Sequence, residues 1–208
     1  MFDIDPKALA RMRVLDCPAG PASFVATATE RGINATGVDV LYHDPPPMLS
    51  ERCDDAIEET ADQLRSAREL FLWDYYGSVE DRVALLERAA SRFLAEYPSG
   101  RTDSRYVAAE LPRLPFADDW FSVVLSSHLL FLYGDRLSMA FHRESVLELA
   151  RVATDEVRIY PLVELDGTPY PRLDAIRDDL AAAGHRSTIR PVPFEFLRGA
   201  TDMLVVEA

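Results

Sequence analysis

The chain has 208 residues, with 35 Asp and Glu against 22 Lys and Arg and a formal charge of −13. Its length suits one domain with a sizeable core, at roughly 100–200 residues per domain. So acidic a surface repels phosphate backbones and anionic lipid, which removes nucleic acid and membrane surfaces from the expected partners.

Lys7 is the only lysine, and this arginine bias suits either a salt-rich cytoplasm or a GC-rich genome. Cys17 and Cys53 are too few for a disulfide framework, and neither has metal-ligand spacing to another Cys or His. The N-terminal segment has acids and no apolar core, and no run of about 18 apolar residues occurs. A soluble, cytoplasmic protein without a bound metal is expected.

In chain order, "MRVLD" (12–16) reads as a short strand, "PASFVATATERG" (21–32) as a helix stopped by Gly32, and "NATGVDV" (34–40) as a second strand. Together they form a βαβ unit, whose right-handed crossover makes the strands parallel. Residues 44–104 break the rhythm. The prolines of "HDPPP" argue against helix or central strand, after which Ile57, Ala61, Leu64 and Phe71 define one face of a long amphipathic stretch. Ser78 with Asp81 forms a capping-box signature for a second helix, along which Val83, Leu86, Ala90, Phe93 and Tyr97 recur at helical spacing. The expectation is a helical pair inserted into an α/β domain, serving as a lid, as a dimer face or as extra core cover.

From residue 105 the alternation resumes. "RYVAAE" and "FSVVLSS" (121–127) read as strands, "DRLSMAFHRESVLELARVA" as a helix, "EVRIYPLV" (156–163) as a strand, and "PRLDAIRDDLAAAG" (171–184) as a helix stopped by Gly184. The segments "STIRPVP" and "DMLVVEA" are close enough in sequence to pair as an antiparallel hairpin.

Ligands of an open parallel sheet lie beyond the carboxyl ends of its strands. The residues there are "DCPAGPASF" after the first strand, Asp39 after the second, Glu110 after the third, Ser126, Ser127 and His128 after the fourth, and Tyr160 and Pro161 after the fifth. An acid about 20 residues past a tight turn is what a ribose diol requires, because one carboxylate accepts from both hydroxyls. Asp39 is therefore the sharpest single site.

Three motifs in order make the chain similar to class I, Rossmann-like S-adenosylmethionine-dependent methyltransferases. They are "VLDCPAGPASF", "TGVDVLY" and "ELPRLPFADDWFSVVLSSHLLFLY". The resemblance covers about three quarters of the chain. It implies a doubly wound, mostly parallel seven-stranded sheet of order 3-2-1-4-5-7-6, the last strand antiparallel, with helices on both faces. It also implies S-adenosylmethionine as cofactor. Asp16 would position the methionine end, with Pro18, Gly20 and the loop backbone against it. Asp39 would take the ribose hydroxyls, Leu41 and Tyr42 would pack on the nucleoside, and Glu110 with Leu111 would sit by the adenine, with Ser126 at the neighbouring strand end.

The family's alternating glycines read Pro18, Gly20 and Ala22 here, so cofactor binding requires that the two outer positions have φ below zero. Methyl transfer asks the protein mainly to align a nucleophile and exclude water. His128 is the candidate base. Tyr75, Tyr76, Tyr133 and Tyr160 are candidate substrate residues, Trp73 lying close to the first two. His43, His142 and His185 carry no assigned role, and Cys17 has no base beside it. The expected function is methyl transfer to a small-molecule acceptor. A cofactor-binding module without turnover is the alternative, and a nicotinamide-dependent oxidoreductase fits less well because its loop wants glycine where Asp16 and Cys17 stand.

Overall fold

Val14 and Leu15 are fully buried because the short strand that carries them, β1 (Arg13–Asp16), runs through the middle of a sheet covered on both sides. The computed structural model describes all residues from Met1 to Ala208. The other elements are α1 (Phe24–Glu30), β2 (Asn34–Asp39), α2 (Pro46–Ser66), α3 (Val79–Thr102), β3 (Tyr106–Ala108), β4 (Phe121–Ser127), α4 (Met139–Arg151), β5 (Ala153–Tyr160), α5 (Leu173–Ala182), β6 (Arg186–Pro191) and β7 (Asp202–Glu207). The seven strands form one sheet of order β3-β2-β1-β4-β5-β7-β6. All run parallel except β7, which pairs antiparallel with both β5 and β6.

Alternating side chains sort the core into two faces. Leu15, Val38, Val124, Val157 and Leu204 point to one face and meet Leu149 of α4 and Leu180 of α5. Val14, Ala35, Val123 and Leu125 point to the other and meet Ala28 of α1. The apolar positions of α3 complete that second face, where Ala90, Phe93 and Tyr97 pack on Tyr42 and Tyr106. Helix α3 is therefore the crossover helix that connects β2 to β3. Helix α2 packs on α3.

Local signals explain most element boundaries. Ser78 caps α3, its hydroxyl accepting from the Asp81 N–H at 3.0 Å and donating to Asp81 Oδ2 at 2.6 Å. Ser78→Ala should therefore lower stability by about 1 kcal/mol, the usual effect of losing an N-cap. Chemical denaturation is the measurement, and an unchanged midpoint would show that this cap carries no stability.

The expectation that the prolines of residues 45–47 forbid helix does not hold. Pro46 opens α2 with Pro47 behind it, because first-turn N–H groups have no intrahelical partner and the fixed φ of proline already suits a helix. Phe71 leaves the face of α2, which ends at Ser66, and its backbone instead bridges to Leu197. Helix α1 starts at Phe24 instead of Pro21 because the chain is still turning through a left-handed Gly20, φ +53. Strand β5 ends at Tyr160, where Pro161 removes the next donor. No helix is long and apolar enough to cross a membrane.

Candidate functional site

The order of the sheet reverses between β1 and β4, and in open α/β sheets that reversal opens a crevice at the carboxyl ends of the strands. Asp16 and Asp39 end β1 and β2 on the same face, and each is only 8% exposed. Burial raises the Asp16 carboxyl from 3.8 to about 7, the Asp39 charge adds to the shift, and no hydrogen bond opposes it. Asp39 is also raised by burial, but two backbone N–H groups act against that effect. They are those of Gly20 at 2.8 Å and Leu41 at 3.0 Å.

The glycine-poor loop is held down at its middle. The Gly20 N–H donates to Asp39, while the Gly20 carbonyl accepts from the Tyr42 hydroxyl at 2.7 Å. Just before it, the Ala19 N–H donates to the Val38 carbonyl at 2.9 Å. Gly20 is the one residue of 17–22 in the left-handed region, so Pro18 and Ala22 stand at positions that do not need glycine. A further glycine, Gly37, allows close packing where the loop lies against β2. A Cβ on Gly37 would come within 3.0 Å of Val25 Cγ2 and 3.1 Å of Ala19 Cβ.

Other strand ends contribute in different ways. Ser126 on β4 is buried, and its hydroxyl has no hydrogen-bond partner. After β3, residues 108–115 line a groove of about 440 Å³, with Glu110 exposed at its rim and Leu111 buried. Leu41 is half-buried against the aromatic cluster around Phe93. Tyr42 belongs to that cluster. Its ring is buried against Phe93, Tyr97 and Tyr106, so only its hydroxyl, and not its face, reaches the loop. Cys17 is buried, and desolvation with the nearby Asp16 charge raises its thiol well above the usual range, which makes it unreactive.

At the same edge of the sheet, past the ends of β4 and β5, lies a cavity of about 240 Å³ lined in part by the end of α2 and the start of α3. Tyr76, His128, Tyr133 and Tyr160 all line it. Tyr75 does not. It is 70% exposed and meets Tyr76 and Phe194 edge-on. The Tyr160 hydroxyl donates to the Ala200 carbonyl at 2.9 Å, which fixes that ring. His128 has φ +57, and its N–H donates to the Tyr160 carbonyl at 2.9 Å. Its ring presents surface to the cavity, yet desolvation and the Arg82 guanidinium lower its pKa to about 4. The imidazole is therefore neutral at physiological pH, able to accept a hydrogen bond but a weaker base than a free histidine.

The sequence motifs do not point to Arg82, Gln63, Phe194 or Phe196, which line the same cavity. The aromatic pair in "PFEF" carried a usable signal, since two phenylalanines in a loop need cover. Arg82 carried none. His142, which was assigned no role, is fully buried between the Ser138 and Leu130 carbonyls, 2.8 and 2.9 Å from its ring nitrogens.

No protein-family model matches the chain. It is 29% identical over 207 residues to the uncharacterized protein MJ0045 of Methanocaldococcus jannaschii, covering 99% of this chain and 90% of that protein. It is structurally similar to NcsB1, an O-methyltransferase from neocarzinostatin biosynthesis solved with S-adenosyl-L-homocysteine and 1,4-dihydroxy-2-naphthoic acid. The TM-score is 0.53 at 12% identity, over 99% of this chain and 51% of that one. TnmH is similar at a TM-score of 0.50 and 12% identity, with the same coverage. This chain thus spans about half the length of those two proteins. Strand order and the antiparallel β7 agree with these likenesses, and the chain has the Rossmann-like fold of the class I methyltransferases.

Proposed function

We propose that this protein transfers a methyl group from S-adenosylmethionine to a small-molecule acceptor. The observation that carries the reading is the pair of buried acids, Asp16 and Asp39, at the ends of adjacent strands at the switch point, with an aromatic-lined cavity at the same edge of the sheet, past the ends of β4 and β5. When bound, the cofactor supplies an activated methyl group, which passes to an acceptor lone pair as the carbon–sulfur bond breaks and its electron pair stays on sulfur.

The residues present fit such a group. Asp16 offers a buried carboxyl without a hydrogen bond, suited to the methionine ammonium. Asp39 keeps acceptor capacity for a ribose diol, because a carboxylate has about four lone-pair sites and the two backbone N–H groups occupy two. Ser126, on the opposite face of the sheet from Asp16, has an unpartnered buried hydroxyl near the end of β4, while Glu110 and Leu111 border the groove that suits an adenine. His128, with Tyr76, Tyr133 and Tyr160, holds the acceptor, and the neutral imidazole orients it by accepting a hydrogen bond from its nucleophilic group. The α2–α3 lining excludes water from the transfer. Free buried cysteines and the acidic surface suit work in a reducing cytoplasm.

Calorimetric titration with S-adenosylmethionine and S-adenosylhomocysteine, with NAD as control, tests this reading. Micromolar binding of the sulfur nucleosides and none of NAD is the expected result. A folded protein that binds neither sulfur nucleoside overturns it, and one that binds both but methylates nothing across an acceptor panel is a binding module.

A further inference from the structure

Ten of the 21 arginines pair with a carboxylate. Arg105 pairs with Glu96 and Asp103, and Arg151 with Glu148 and Asp118. Arg82, in the first turn of α3, is among the eleven that do not, and it alone of the arginines buries a side-chain nitrogen without a partner. Its guanidinium carbon sits 4.6 Å from the centroid of the Tyr76 ring, and its buried Nε has no hydrogen-bond partner. It lines the 240 Å³ cavity, and among the lining residues there is no Asp or Glu. Glu195, whose charge reaches Tyr160, accepts from the Gly199 N–H at 2.8 Å and makes no ion pair with Arg82.

The rest of the lining is mostly apolar and much of it aromatic, with Thr60, Gln63 and His128 as its other polar side chains and the Met1 ammonium near His128. Phe71, Tyr76, Tyr133, Tyr160, Phe194 and Phe196 enclose the space. Phe71 and Phe196 stack at 4.8 Å between centroids, and Tyr76 meets Phe196 edge-on at 4.7 Å. Such walls favour a flat ring, by offset and edge contacts. A volume of 240 Å³ falls below the roughly 300–1,000 Å³ typical of pockets for drug-sized ligands, which limits the occupant to one or two rings. The buried Nε without an acceptor carries a desolvation cost that a planar anion relieves, because Nε and a terminal nitrogen of the half-buried guanidinium match a carboxylate in shape and form paired charge-assisted hydrogen bonds.

From the unpaired Arg82 set in aromatic walls without an acid, we infer that the acceptor is a planar aromatic carboxylate of one or two rings. Its carboxylate pairs with Arg82, and its ring lies among the phenylalanines and tyrosines, beside His128. The inference rests on the methyl-transfer reading for the role of this occupant, not for its chemistry. Arg82 is a specificity-determining residue on this account. It holds the anion by charge and fork geometry, whereas the walls accept any flat ring.

The test is a titration of the whole protein, with and without saturating S-adenosylhomocysteine, using benzoate, salicylate, 4-coumarate and 2-naphthoate, each against its neutral carboxamide. At least one anion should bind about tenfold or more tightly than its amide, as the loss of a charge-assisted pair implies. Arg82→Met keeps the stem packed on Tyr76 and should erase that preference, while Arg82→Lys should keep part of it. The thermal midpoints of both variants report whether they are folded. Equal binding of anion and amide, persistence of the preference in a folded Arg82→Met, or no binding of any of the four anions at millimolar concentration overturns the inference. An anion preference lost in Arg82→Met, in a protein that does not bind S-adenosylhomocysteine, leaves the anion cavity standing and removes methyl transfer. Nucleoside binding without any anion preference does the reverse.

Discussion

Asp16→Asn should make the cofactor-free protein more stable at pH 8 while making it a worse binder. The Asp16 carboxyl titrates near 7 in the folded chain and at 3.8 as a free side chain. Between those values the unfolded chain has released the proton and the folded one retains it, so parent stability falls as pH rises from about 4 to about 7. The gap is about 3 pH units, which at ~1.36 kcal/mol each comes to about 4 kcal/mol above pH 7. An asparagine has the same shape and no proton to lose, so the variant escapes this loss. For a chain of this size the difference corresponds to a rise of about 10 °C in the thermal midpoint.

Denaturation from pH 4 to pH 9 reads this directly. The two proteins should differ little near pH 4, and the variant should pull ahead until pH 7, after which the gap stays constant. A variant equal to or weaker than the parent at pH 8 would show that Asp16 is not held in an unfavourable charged state. Titration with S-adenosylmethionine should show the opposite order, with about tenfold weaker binding, because an amide cannot pair with an ammonium group. Saturating cofactor should therefore narrow the stability gap, since it stabilises the parent more.

Asp39→Ala is expected to weaken cofactor binding by about ten- to a hundredfold, the equivalent of one charge-assisted pair. The same change removes the acceptor for the Gly20 and Leu41 N–H groups, and should lower stability by about 2–3 kcal/mol because both donors are left in a partly buried loop. Calorimetry with S-adenosylhomocysteine and urea denaturation measure the two effects. A control separates ribose contact from loop support. Tyr42→Phe cuts the other tether of Gly20, its carbonyl bond at 2.7 Å, yet leaves the carboxylate in place, so its effect on affinity should be under about threefold. Unchanged affinity in a folded Asp39→Ala, or equal losses in the two variants, would show that Asp39 supports the loop and does not touch a ribose.

Much of the fold was legible because it depends on short-range chemistry. Alternation of strand and helix patterns, Gly32 and Gly184 as stops and Ser78 as a cap all act within a few residues, and each marks a real boundary. The strand-end acids were legible too, since a strand that ends at Asp16 or Asp39 places that residue at the edge of the sheet. The prolines at 46 and 47 misled because their effect changes sign with position: they break a helix in its interior and suit its first turn.

The sequence by itself determined the class of fold, the order of its elements and the acids at the carboxyl edge, because periodicity and turn chemistry are local properties of the chain. Only the tertiary structure decided which residues share a space. Gln63, Arg82, His128, Tyr160 and Phe196 lie far apart in the chain and meet around one cavity. Tyr42, next to Leu41, has its ring faces covered by Phe93, Tyr97 and Tyr106 and offers the loop only its hydroxyl. Whether an arginine among twenty-one has a carboxylate within reach is decided by packing across the whole molecule, and no local pattern carries that information.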